Sequence, residues 1–151
     1  MRSISLAAVI GILIFTAGFV TARNMTPAGA AALSMTPQLI DLTALTADDL
    51  SAPNAGGTRT KMLVIADGAT LQVQMGPTPK HFHALANEIQ YVVEGSGTEW
   101  LGDRQVALKP GDLLIIPKGT PHGSLTDTSG TLKLIAMKTP PQAADDFHVM
   151  P

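Results

Sequence analysis

Three textures follow one another along the chain. From Ile4 to Val20 ("ISLAAVIGILIFTAGFV") the residues are apolar almost without a break and leave no polar face for solvent. From Arg23 to Gln38 the chain is rich in Ala, Thr, Pro and Gly, without sustained periodicity, and reads as a linker. From Thr58 onward, short β-rich runs alternate with turn residues. "TKMLVIAD" and "TLQVQM" flank Asp67-Gly68, a hairpin signal. "EIQYVVE" ends at Gly95, and "GTEWL" turns through Gly102-Asp103 into "RQVALK". Pro110-Gly111 opens "DLLII", Pro117 closes it, and "GSLTD" and "TLKLIAMK" follow. Strands at near-regular spacing with almost no helical pattern predict an all-β domain, an antiparallel sandwich or barrel. The divisions are 1–22 for the leader, 23–57 for a linker and arm, 58–139 for the β domain and 140–151 for a tail or strap. "LTALTADDL" reads either as one helical turn, capped by Thr46 with Asp49 at its third position, or as a loop.

Arg2, the apolar run and the small-residue exit Val20-Thr21-Ala22 have the order of a secretory signal peptide. An uncleaved anchor is the rival, although the run is short against the roughly 20 residues that span a bilayer. A buried core helix is the third reading, and it lacks a polar face. Export is therefore expected, to the periplasm or beyond, with anchoring to the inner membrane through residues 4–20 as the alternative.

Composition changes the picture in two ways. A net charge of −2 gives no basic footprint, so no nucleic-acid partner is expected. The chain has no cysteine, which removes disulfides, thiolate catalysis and thiolate metal ligands. At 151 residues it suits one domain with a single core.

The candidate chemistry lies in "KHFHALANE", in a chain with four histidines. Side chains on a strand alternate between faces, so His81 and His83 share one and Phe82 points away. A turn across Ala84–Asn87 would bring Glu88 back beside them, and His122 offers a third imidazole. Three imidazoles and one carboxylate would leave positions open on a six-coordinate divalent transition metal such as Fe, Mn, Ni, Cu or Zn. The alternative is a set of exposed polar residues on a sheet surface. Inward parity adds Gln90, Ser124 and Thr126 as pocket candidates, able to orient a substrate or water but poor as proton carriers. Trp100 is a candidate pocket wall. Tyr91 is expected in the core, Gln72 and Gln74 on the solvated face, and His148 at the surface of the tail.

The spacing of these residues resembles the cupin superfamily. "GPTPKHFHALANEIQYVVEG" is similar to its first signature through Gly76, His81, His83, Glu88 and Gly95, with the first glycine interval one residue short. "GDLLIIPKGTPHGSLT" is similar to the second through Gly111, Pro117, Gly119 and His122, with Thr126 where asparagine is usual. The resemblance implies a small double-stranded β-helix, or jelly-roll barrel, with a metal held inside by His81, His83, Glu88 and His122. It also implies a homodimer and a small-molecule ligand or substrate. The fold hosts oxygenases, decarboxylases, isomerases, lyases and non-catalytic binders. The expectation is a metal-dependent, oxygenase-like enzyme. A non-catalytic metal or ligand binder is the alternative, and intact ligands argue against a vestigial site.

Overall fold

The computed structural model describes residues 35–130 and 132–151. The leader and most of the linker lie outside the described residues. Among the described residues, ten strands form two antiparallel sheets, as the strand spacing predicts. They are β1 (Arg59–Ala66), β2 (Ala69–Met75), β3 (His81–Phe82), β4 (Asn87–Glu94), β5 (Gly97–Leu101), β6 (Arg104–Leu108), β7 (Leu113–Ile116), β8 (His122–Asp127), β9 (Lys133–Thr139) and β10 (His148–Val149). The first sheet runs β1-β2-β9-β4-β7 and the second β10-β3-β8-β5-β6. The only helical turn among the described residues is Ala47–Asp49, where Asp49 accepts from the Thr46 backbone N–H at 2.8 Å.

Local chemistry explains the hairpins. Asp67 and Gly68 take φ of 51° and 75°, and Ala66 pairs with Ala69 across them. Positive φ at both turn residues matches the twist of the flanking strands.

The two faces of β2 and β9 do not follow the usual assignment of apolar residues to the barrel interior. Leu63, Val64, Leu71 and Ile135 line an outer groove together with Met35, Pro37, Ile40 and Leu42 of the arm. With the outward face shielded in this way, the inward face is free to be polar. Gln74 is buried and Gln72 half-buried on it, a correction to their expected place on a solvated face. The apolar core consists of Val92, Leu108, Leu114, Ile116, Leu125, Leu132 and Leu134. Tyr91 is not in it. Tyr91 lies on the outward face of β4 opposite Leu113 and is 43% exposed.

A second correction concerns β8. Trp100 pairs with Gly123 and Thr98 with Thr126, so β8 carries one extra residue against β5. Gly123 and Ser124 absorb it with φ of 94° and 53°. This bulge resets the alternation. After His122, Leu125 points inward, while Ser124 and Thr126 are exposed rather than inward-facing. Gly123 has a further constraint: an added Cβ would collide with the Pro79 carbonyl oxygen and lie 2.9 Å from His81 Nδ1. Only glycine lets β8 approach the first histidine so closely.

Candidate metal centre

Each of the four predicted ligands is delivered by a different local device. His81 on β3 pairs directly with His122 on β8. His83 follows β3, and Glu88 enters from β4 of the other sheet. The turn between His83 and Glu88 is held from far along the chain. The Asp146 carboxylate accepts from the backbone N–H groups of Ala84, Leu85 and Ala86 at 2.6, 3.0 and 3.0 Å. The tail is thus a strap: β10 pairs with β3, Phe147 stacks on His81 at 4.0 Å, and exposed His148 stacks on Phe82 at 4.8 Å.

His81, His83, Glu88 and His122 are all buried, and their ligand atoms lie within 4.8 Å of one another. His83 Nε2 is 3.1 Å and His122 Nε2 3.3 Å from Glu88 Oε2. The other ring nitrogens face backbone carbonyls. His81 Nδ1 bonds to Pro79 O at 2.8 Å, His122 Nδ1 to Thr120 O at 3.0 Å, and His83 Nδ1 to Asp146 O. A carbonyl can only accept, so each Nδ1 carries a proton, which leaves each Nε2 as the atom a metal ion would take in place of the Glu88 contacts of His83 and His122. That tautomer and orientation fit a metal ion.

The charges of the cluster follow from the same contacts. Burial pushes His81 down to about 3, with help from neighbouring His122, so its ring stays neutral. Burial alone would raise the Glu88 carboxyl. Hydrogen bonds from His122 and His83, with Lys138 nearby, outweigh it and hold the group well below the usual carboxylate range. His122 balances the same forces the other way: burial opposes its protonation, and the bond and charge of Glu88 overcome that and raise it.

Beside the ligands lies a cavity of about 300 Å³, lined by Asn54, Thr58, Thr60, Gln72, Gln74, Thr78, His81, Glu88, Gln90, Lys138, Gln142 and Phe147. Gln90 is where parity predicts, donating to Glu88 Oε1 at 3.0 Å. Ser124 and Thr126 do not line it. Neither does Trp100, whose ring lies on the other face of β5 from Glu99, under the Lys80 ammonium at 3.9 Å. Three residues escaped sequence reasoning. Lys138 puts its ammonium 3.6 Å from Glu88 Oε2. Its signal was available, because Lys138 sits at the inward parity of "TLKLIAMK". Asp146 lies 58 residues beyond Glu88 (146 − 88), and nothing local marks it. Glu99 is buried, accepts from Gly123 N–H at 3.1 Å, and is pushed up by burial to about 7.

The fold is that of the cupins, a double-stranded β-helix with a cluster of donors between its sheets. The Cupin_2 cupin-domain family matches residues 69–138. The chain is 31% identical over 70 residues to the uncharacterized protein MJ1618 of Methanocaldococcus jannaschii, covering 46% of this chain and 56% of that one. It is 33% identical over 60 residues to a quercetin 2,3-dioxygenase of Bacillus subtilis, covering 40% of this chain and 18% of the other. The chain thus spans about half or less of the curated relatives it matches. Among solved structures, the polyketide cyclase RemF from Streptomyces resistomycificus superposes with a TM-score of 0.58 at 28% identity, over 77% of this chain and 87% of that one. These likenesses support the cupin superfamily, and the four buried donors support a metal-binding member.

Proposed function

We propose that this chain is an exported, metal-dependent cupin enzyme acting on a small organic molecule. One observation carries the reading. Three histidines, each with its Nδ1 proton committed to a backbone carbonyl, aim Nε2 at one buried point that borders a cavity. His81, His83, Glu88 and His122 would hold a divalent transition metal there. The metal would supply Lewis acidity or electron transfer to a bound molecule. Gln90 orients the Glu88 carboxylate, and Lys138 offsets its charge. The likeness to a dioxygenase favours oxygenase-like chemistry over the other reactions of the fold.

Glu88→Gln separates a catalyst from a binder. It removes the negative ligand while keeping its shape and one oxygen donor. Oxygen uptake or substrate loss per bound metal should fall in the variant at saturating metal. A wild-type protein that turns over nothing, when loaded in turn with iron, manganese, nickel and copper, would establish the binder instead.

Export rests on the Arg2, apolar-run and Val20-Thr21-Ala22 order, with cleavage after Ala22. A homodimer is supported by Tyr91, Leu113 and Ile115, which are exposed together on the outward face of β4 and β7. N-terminal sequencing and light scattering on the exported protein check both. A start at Met1, or the mass of a single chain, would contradict the respective claim.

A further inference from the structure

Resting on that reading of the site, we propose that its substrate class is small polyhydroxylated carboxylates, with the carboxylate on Lys138 and hydroxyls on the glutamine side chains. The lining is the starting point. Of the side chains around the cavity only Phe147 is wholly apolar, whereas Gln72, Gln74, Gln90 and Gln142 present amides from three separate parts of the chain. Ligand cavities are ordinarily lined mostly by apolar side chains with few polar groups. An apolar guest here would strip water from these amides and return nothing, at about 1–3 kcal/mol for each group left unpaired. A hydroxyl both donates and accepts, so it matches an amide in either orientation.

Among the polar groups of the lining, Gln90 and Lys138 differ in what they leave for a guest. Gln90 is 3% exposed, and its Nε2 is committed to Glu88. Its Oε1 is fully buried and the amide also interacts with the buried Glu99, so Gln90 fixes Glu88 and leaves the guest to the other three amides. Lys138 is 8% exposed, and its ammonium makes one ion pair, at 3.6 Å, with a carboxylate already shared by two histidines. Three donors on a buried cation fit a second carboxylate. The cross-strand register puts these groups side by side. Lys138 pairs with both Thr70 and Glu88, and Ala136 in the next inward row pairs with both Gln72 and Gln90. The small Ala136 between two glutamines leaves room for a guest. At roughly 30 Å³ for each water-sized group, about 300 Å³ admits on the order of ten such groups, the scale of a six-carbon acid.

Three six-carbon probes separate the contributions: gluconate carries hydroxyls and a carboxylate, sorbitol hydroxyls alone, and hexanoate a carboxylate alone. Their affinities for the full mature chain are measured by calorimetry, in metal-loaded and metal-free protein. Gluconate should bind at least tenfold tighter than either of the others in both forms. Lys138→Gln should bring gluconate down to the level of sorbitol. Gln72→Met should weaken gluconate and sorbitol alike and leave hexanoate unchanged, which covers the case of a poorly folding Lys138 variant. Equal or tighter binding of hexanoate, no binding of gluconate, or a gluconate preference present only with metal bound would each overturn the proposal. Metal content is read on the same samples. Protein that holds no metal yet prefers gluconate would sink the metal reading and leave this one standing.

Discussion

Two regions of one barrel interior are built from the same strands and obey different rules. On β4, Glu88 and Gln90 face the metal centre and cavity, and Val92, two residues further, is wholly buried in the apolar core. On β9, Lys138 lines the cavity and Leu134 packs in the core, with only Ala136 between them on that face. The apolar region is held by contact, and burying each large aliphatic side chain contributes about 1.5–3 kcal/mol. The polar region is held by direction: each of His81, His83 and His122 has a carbonyl behind it, and the turn before Glu88 has a carboxylate beneath it. Packing tolerates small shifts, whereas a ligand set tolerates far fewer, and damage to the two regions should therefore look different.

The largest effect is expected from Leu134→Ala. It removes a buried aliphatic side chain that lies against Val92 across the β4–β9 pair. The loss should be about 2–5 kcal/mol in denaturant unfolding. Metal affinity of the molecules that remain folded should change little. A variant that lost its metal but kept its stability would show that the two regions are not separable.

Asp146→Ala should do the reverse. Three backbone N–H groups lose their acceptor, at about 1–3 kcal/mol of stability. The carbonyl behind His83 survives, because it belongs to the backbone. Loosening the turn between His83 and Glu88 should still cost metal affinity, by roughly 10–100-fold, the scale seen when supporting partners of metal ligands are removed. Competition with a chelator measures it. Unchanged affinity would mean that the strap merely covers the barrel.

The same division explains what could be read from the sequence. Strands, hairpins and the four donors were legible because alternation and turn chemistry are local, and because both histidines of β3 share a face whatever the rest of the chain does. Gly95, Gly102, Gly111 and Gly119, which punctuate the strands and motifs, all have the positive φ that tight turns favour for glycine. Facing was less legible, because it was inferred by putting apolar residues inside. Gln72 and Gln74 reverse that rule, since an arm covers the other face of their strand. Ser124 and Thr126 fail it through a single inserted residue, signalled only by Gly123. Trp100 and Tyr91 turn outward for the same kind of reason: their inward neighbours are the polar Glu99 and Gln90. Residues 140–151 read as a tail or strap, and the strap is what forms, but Asp146 was out of reach because nothing in that stretch marks the turn it supports.

The account stands most directly on metal content. Wild-type protein taken from its native compartment and analysed for elements should hold one transition-metal ion per chain. A variant with both His81→Ala and His83→Ala should stay folded, because the apolar core owes nothing to either ring, and should hold almost none. The bound ion stabilises only the folded state, so the metal-dependent rise in melting temperature should disappear as well. Full metal content in that double variant, or none in the native protein, would contradict the centre described here.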